Sequence, residues 1–224
     1  MTLASRAASD RRGCRTIAAG SQASYAMQDS RCGDMKQRLH QAGLIVSAVL
    51  GSWLGMQAVH ESGHVLAAWL TGGRVDHVVL YPLTISRTDL ADNPRPLLVV
   101  WAGPLIGCFL PLLAWIMVAL FRQPWAYLPR FFAGFCLIAN GAYIAGGAFD
   151  RIGDTGEMLR YGSPMWCLLA FGAVTVPSGL WLWHRQGPYF GLGPARGKVN
   201  PIAAYSCFAF LFALIALGLI VDGE

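Results

Sequence analysis

Two histidines and a glutamate are spaced in this chain as His60-Glu61-x-x-His64, inside a long apolar stretch. On an α-helix, residues i and i+4 lie about 40° apart around the axis, so both histidines project from one face. Two imidazole nitrogens placed in this way can bind one zinc ion. Glu61 is rotated by about 100° from His60 and can act as a general base towards water. The motif therefore predicts a hydrolytic zinc site, with His60 and His64 as metal ligands and Glu61 as the catalytic residue.

A catalytic zinc site needs a third protein ligand and keeps one further position open. The candidates are carboxylates and histidines outside the motif: Asp76, His77, Asp89, Asp92, Asp150, Asp154, Glu157 and His184. The carboxylates at residues 150–157 are best placed, because a packed helix can bring its end to the metal. Among them we favour Asp154, since Gly153 and Gly156 let the backbone approach closely, and Asp150 is the second choice.

Both assignments have a structural alternative. The motif residues could form a histidine pair hydrogen-bonded inside a helix bundle, with Glu61 as its partner. Either aspartate could instead pair with Arg151 or Arg160 at the membrane interface. The metal site is the stronger interpretation, because ionisable groups are costly inside a membrane and usually mark a functional site there.

The stretch around the motif is one of five that are long enough to cross a membrane. Apolar residues make up 55% of the 224-residue chain and charged residues 13%, against about 25% charged in soluble domains. The sequence therefore predicts an all-α polytopic membrane protein with about five transmembrane helices. The expected spans cover about residues 42–70, 97–121, 125–149, 164–184 and 202–221.

Two regions fall outside these spans. Residues 75–85 are rich in valine and are interrupted by Pro82, which predicts a short β-like insertion of one or two strands after the first span. An irregular loop is the alternative. Residues 1–41 are polar and basic, and we expect a disordered tail there, unless translation starts at Met27 or Met35. Residues 42–224 are expected to form a single membrane domain.

The charge pattern indicates a lipid bilayer as a partner. The net charge is +5, and the basic residues are scattered rather than aligned in a stripe, so nucleic acid is not an expected partner. With a cytoplasmic N-terminus and five spans, 12 lysines and arginines lie inside and 5 outside, which favours that orientation. The six cysteines form no CxxC pair and predict neither a disulfide framework nor a sulfur-ligated metal. The sequence makes no prediction about the oligomeric state.

Further segments carry a resemblance to a known family. They are Thr71-Gly72-Gly73-Arg74-Val75, Ala102-Gly103-Pro104 and Gly153-Asp154-Thr155-Gly156-Glu157. Together with His60-Glu61-Ser62-Gly63-His64, they resemble the site-2 protease family of intramembrane zinc metalloproteases, and in particular its smaller, divergent members. The resemblance implies a zinc ion held by the two histidines and an aspartate, with Glu61 as the catalytic base. It also implies that Asn140 helps to orient the substrate.

The chain departs from the better-known members in the third-ligand segment. Those members carry an asparagine, then prolines, then Leu-Asp-Gly. Here the prolines are absent, and the two aspartates lie 10 and 14 residues after Asn140. The choice between Asp154 and Asp150 is therefore open on the resemblance alone.

The sequence as a whole predicts an integral, multi-pass membrane zinc endopeptidase that cleaves transmembrane segments of membrane-protein substrates. It would lie in the plasma membrane, or in the inner membrane if the source is bacterial. A strand edge within residues 75–85 would hold the unwound substrate by β-addition. The alternative is a catalytically inactive membrane scaffold or chaperone that retains the motif. A metal transporter is less favoured, because the ligand-type residues sit at one point rather than along a path.

Overall fold

The computed structural model describes residues 3–195 and 197–221, with side chains from Gly33 onwards. The elements in chain order are α1 (Leu3–Leu70), β1 (Arg74–Val79), β2 (Arg87–Asp92), α2 (Pro96–Leu120), α3 (Tyr127–Asp150), α4 (Asp154–Arg160), α5 (Met165–Trp183), two 3₁₀ turns (Gly187–Phe190 and Gly193–Ala195) and α6 (Pro201–Val221). Among these described residues, five helices are long and apolar enough to cross a membrane. The expected helical membrane fold with a short β insertion is confirmed.

The membrane-spanning helices agree with the expected spans. The bounds of α2, α3, α5 and α6 lie within two residues of the prediction, and the first apolar span corresponds to Gly33–Leu70 of α1. α1 itself begins at Leu3, so the helix runs through the stretch expected as a tail. Most side chains of residues 1–41 lie outside the described residues, and the division into a tail and one membrane domain stays a prediction.

α1 ends at Leu70, where the first span was predicted to end, and two glycines follow it. Gly72 has a φ of 81°, and its N–H donates to the carbonyl of Trp69 at 3.3 Å. The N–H of Gly73 donates to the carbonyl of Ala68 at 2.8 Å. These two bonds form a Schellman cap, which stops the helix and turns the chain into β1.

β1 and β2 form a two-stranded antiparallel hairpin, in which Val78 pairs with Thr88. The second strand begins at Arg87, later than the predicted insertion over residues 75–85. Pro82 has no N–H to donate, and a bond from the N–H of Thr84 to the carbonyl of Tyr81, 3.0 Å long, closes a turn around it. The chain after Pro82 therefore turns before it can extend. Both strands pack on α1.

The acidic segment at residues 150–157 contains the start of a helix. α3 ends where Arg151 adopts a φ of 54°, and its N–H donates to the carbonyl of Gly147 at 2.8 Å. After a short link, α4 begins at Asp154. Met158 of α4 is fully buried in a core cluster with residues of α2, α3 and α5. This packing docks the start of α4 against the bundle.

Candidate active site

α1 presents the three motif residues to the interior of the bundle. His60, Glu61 and His64 are 6%, 4% and 6% exposed. The Nε2 atoms of the two histidines lie 3.1 Å apart, because the residues are one helical turn apart on the same face. The spacing of the motif therefore brings two ligand-type nitrogens to one point.

Asp154 completes a group of three. Its Oδ2 lies 2.8 Å from Nε2 of His60 and 3.5 Å from Nε2 of His64. Among the side chains that the structure describes, these residues form the one group of three or more potential metal ligands, and we call it the ligand cluster. The ligand atoms of a tetrahedral zinc site lie about 3.3 Å apart. The spacing in the cluster is close to that value, so its residues could hold a zinc ion.

The link before α4 places Asp154. Gly153 has a φ of 59° and a ψ of −140°, a conformation that essentially only glycine adopts. The backbone N–H of Asp154 donates a hydrogen bond to the Tyr143 hydroxyl at 3.2 Å. Thr155, which is fully buried, donates its hydroxyl to the carbonyl of Gly147 at 2.8 Å. The conformation of Gly153 before it and the hydrogen bond of Thr155 after it thus fix the backbone of Asp154, and its carboxylate is directed to the histidines.

Both histidines are oriented by hydrogen bonds on their far sides. Nδ1 of His64 lies 2.8 Å from the carbonyl of Val99, which can only accept, so this nitrogen donates. Nδ1 of His60 lies 2.6 Å from Oδ1 of Asn140. The amide nitrogen of Asn140 donates to the carbonyl of Cys136 at 2.9 Å, which directs Oδ1 to His60 as an acceptor. Bonds of this kind fix the tautomer that leaves Nε2 free for a metal.

Two glycines of α2 make room for the cluster. A Cβ atom on Gly103 would collide with Nε2 of His64 and lie 2.8 Å from Nε2 of His60. A Cβ on Gly107 would lie 2.9 Å from the amide nitrogen of Asn140. The small-residue spacing on α2 therefore keeps clear the space beside the imidazole nitrogens, in addition to allowing close packing on α1.

The carboxyl group of Asp154 is held in the ionised form that a metal ligand requires. Burial alone would raise the pKa of this group, because it disfavours the charge. When Nε2 of the histidines carries a proton, the hydrogen bonds from His60 and His64 and the charge of the imidazolium groups act in the opposite direction and hold the pKa of Asp154 well below its usual range.

The other third-ligand candidates lie outside the ligand cluster. Asp150 is the exposed last residue of α3. Glu157 lies one turn after Asp154 and contacts Arg160, with Oε1 3.5 Å from Nη1. The remaining candidates lie on the hairpin strands or directly after α5, and they are Asp76, His77, Asp89, Asp92 and His184. The structure therefore brings the first choice, Asp154, to the histidines and leaves Asp150 away from them.

Glu61 projects from α1 to the hairpin. Its Oε1 accepts a hydrogen bond from the Ser86 hydroxyl at 2.7 Å. Its Oε2 accepts one from the Thr88 hydroxyl, also at 2.7 Å. Both carboxylate oxygens are thus engaged by hydroxyls of a single structural element.

A cavity of about 860 Å³ opens beside these groups. The lining residues come from α1, the hairpin, α2, α3 and the start of α4, and include His60, Glu61, His64, residues 85–90, Val99, Asn140, Tyr143 and Asp154. Its size lies within the range of about 300–1,000 Å³ that is usual for ligand pockets. The ligand cluster and Glu61 therefore line a cavity large enough to hold a ligand.

Four residues at the site were not among the residues predicted to contribute to it. Ser86 and Thr88 contact Glu61, Tyr143 contacts the backbone of Asp154, and the Val99 carbonyl orients His64. Ser86 and Thr88 lie just after the insertion predicted at residues 75–85, so no direct signal for the first two was present in the sequence. A backbone carbonyl carries no signal in the sequence.

Comparison with protein families gives one match. Residues 42–144 match a family model described as Peptidase M50B-like. The matched region contains the motif, the hairpin and Asn140, and it ends before Asp154. No curated protein and no solved structure matches the chain. With five apolar helices the chain is an integral, multi-pass membrane protein, and the match supports its membership in the site-2 protease family.

Proposed function

We propose that this protein is an intramembrane zinc endopeptidase that cleaves transmembrane segments of other membrane proteins. The observation that carries the proposal is the ligand cluster, in which both histidines are oriented by acceptors on their far sides and lie beside a buried glutamate. A structural histidine pair would need neither a third ligand-type atom nor a cavity.

His60, His64 and Asp154 would hold the zinc ion through Nε2, Nε2 and Oδ2. When bound, zinc acts as a Lewis acid that polarises a carbonyl group and lowers the pKa of a coordinated water to about 7. This acidity matters inside a membrane, where hydroxide is scarce. The Gly103 backbone keeps space open next to the nitrogens, so the cluster fits the ion.

Glu61 would be the general base. Its carboxylate takes a proton from water as the water oxygen bonds to the peptide carbonyl carbon. The same carboxyl group then returns the proton to the departing nitrogen as the carbon–nitrogen bond breaks. Glu61 is suited to this role because it lies next to His60 in the sequence and remains outside the ligand cluster.

The hairpin would hold the substrate in an extended form. Within the described residues the sheet has only two strands, so β2 has one edge with no strand partner. β2 also lines the cavity. An unwound substrate segment could add to this edge by backbone hydrogen bonds, which moves the expected pairing site from residues 75–85 to β2.

Asn140 would act on His60. It is 1% exposed, and both polar atoms of its amide bond to protein groups. We therefore assign Asn140 to the orientation of the imidazole, while the substrate-orienting role implied by the family resemblance stays a prediction.

The cytoplasmic position of the N-terminus also stays a prediction.

The test is the Glu61→Gln variant, reconstituted in lipid vesicles with a reporter transmembrane segment. We expect zinc content to be retained and cleavage to fall by about 100- to 10,000-fold, the usual contribution of a general base. Asp34→Asn is the matched control, because it makes the same carboxylate-to-amide change at an exposed position of α1 that neither lines the cavity nor belongs to the ligand cluster. A wild-type protein that binds zinc but shows no Glu61-dependent cleavage would support the inactive scaffold instead.

A further inference from the structure

The carboxylate of Glu61 is buried, yet its hydrogen-bond partners come from the hairpin. The side chain is 4% exposed, and its two oxygens accept the hydroxyls of Ser86 and Thr88 at 2.7 Å each. A buried carboxylate is costly unless hydrogen bonds replace its hydration. Bonds to an ionised acceptor are roughly twice as strong as neutral ones. The two hydroxyls therefore fix the position of the Glu61 carboxylate.

The hairpin is aligned with α1 by a third hydrogen bond. The backbone N–H of Ser86 donates to Oε1 of Gln57 at 3.0 Å. Gln57 lies one turn before Glu61 on α1, so the two acceptors are adjacent on one helix face. Ser86 directly precedes β2 and Thr88 is its second residue, and both side chains donate to the same carboxylate of α1. One face of α1 thus contacts one side of the hairpin.

We propose that Ser86 and Thr88 are positioning residues that hold the Glu61 carboxylate in the orientation its reaction needs. This proposal rests on the proposed function, because it assigns the hydroxyls to the base of the same reaction. Each carboxylate oxygen has two acceptor sites. One remains for water when the hydroxyl is bound, so the contact orients the base without blocking it.

The same geometry links substrate binding to the base. β2 supplies the Thr88 hydroxyl on one side of the strand and lines the cavity with neighbouring residues. A substrate segment that pairs with the edge of β2 is placed by the element that places Glu61. The hairpin therefore positions the substrate peptide and the Glu61 carboxylate relative to each other.

The experiment compares hydroxyl deletions with conservative replacements in lipid vesicles. Thr88→Val keeps the side-chain shape and removes the hydroxyl, whereas Thr88→Ser keeps the hydroxyl. Ser86→Ala and the double variant complete the series. Thr84→Val is the matched control, since the Thr84 hydroxyl lies on the same hairpin and bonds only to the Tyr81 carbonyl.

We expect each deletion to lower kcat by about tenfold, with KM and zinc content unchanged. Thr88→Ser and Thr84→Val should stay within about threefold of wild type. A rise in kcat would overturn the proposal, because the hydroxyls would then restrain the base. Unchanged kcat with a higher KM would overturn it as well, because the hairpin would then serve only to bind substrate.

A second readout does not depend on activity. Glu61→Ala removes both acceptor oxygens, and we expect amide hydrogen exchange in residues 85–92 to become faster, whereas Asp34→Ala, at an exposed position of α1 outside the cavity, should leave it unchanged. Unaltered exchange in Glu61→Ala would contradict the link between the hairpin and the base. If the proposed function is wrong, the wild-type protein will not cleave the reporter at all, and both proposals are overturned. If only the positioning role is wrong, the wild-type protein cleaves and the hydroxyl deletions leave kcat unchanged.

Discussion

The ligand cluster and Glu61 are adjacent in the site, yet different parts of the fold hold them. The cluster is held within the helix bundle, by the Val99 carbonyl of α2, Asn140 of α3 and the docked start of α4. Glu61 is held by two hydroxyls of a two-stranded hairpin outside the bundle. One part of the site thus depends on packed helices, and the other depends on a small element at their edge.

This difference separates metal binding from catalysis. Packed helix cores resist rearrangement because their side chains fill the available space. An isolated two-stranded hairpin is only marginally stable and depends on what it packs against. Changes in the bundle should therefore alter metal affinity, whereas changes in the hairpin should alter turnover and leave the metal in place. Each prediction below tests this division on the bundle side, from the largest expected effect to the smallest.

The largest effect is expected from Gly103→Ala. The added methyl group would collide with Nε2 of His64 and lie 2.8 Å from Nε2 of His60. We expect zinc to be absent from the purified protein by metal analysis and cleavage to fall to background. Alanine is a better helix former than glycine by about 1 kcal/mol, so the change does not weaken α2 as a helix.

Gly146→Ala on α3 is the control for that variant, because nothing outside its own stretch of helix lies within 4 Å of the added Cβ. It should retain full zinc content and activity. If Gly103→Ala binds zinc as the wild type does, the space beside the two histidines is not the metal position.

A smaller effect is expected from Asp154→Ala. Loss of Oδ2 leaves two nitrogens to hold the metal, and we expect zinc affinity to fall by more than about 100-fold, beyond the usual effect of an outer partner. Competition with a zinc chelator measures this affinity. Asp150→Ala is the matched control and should behave as wild type, since Asp150 is exposed at the end of α3. Zinc retained in Asp154→Ala and lost in Asp150→Ala would reverse the assignment of the third ligand.

The smallest effect is expected from Asn140→Leu. This change keeps the approximate side-chain volume and removes the acceptor from Nδ1 of His60. Loss of such a partner should weaken zinc binding by about 10- to 100-fold, again measured by chelator competition. Asn140→Asp, which keeps an acceptor oxygen, should retain more of the affinity. Unchanged zinc affinity with a raised KM would assign Asn140 to the substrate instead.

Much of the fold was predictable because it depends on local patterns. Long apolar runs identified the membrane helices, including the end of the first span at residue 70. The start of β2 was not predictable in this way. Tyr81 and Thr84 close a turn after β1, and pairing of the strands then places β2 at Arg87.

The candidate site was predictable to a different degree in its two parts. His60 and His64 come together through helix geometry alone, so their spacing was sufficient. Asp154 was favoured over Asp150 because of its neighbouring glycines, and Gly153 does adopt a conformation restricted to glycine. The ligand role of Asp154 stays a prediction. Ser86 and Thr88 lie 25 and 27 residues from Glu61, and no periodicity relates residues across a hairpin and a helix.

The sequence by itself determined a membrane protein with five apolar helices and a zinc-type motif on the first of them. Hydropathy and helical periodicity act over a few residues, so they can be read directly from the chain. Only the tertiary structure decided which carboxylate meets the histidines, that Asn140 and Val99 orient the imidazoles, and that the hairpin holds Glu61. These contacts join residues that are distant in the sequence, and they exist only once α2, α3, α4 and the hairpin have packed against α1.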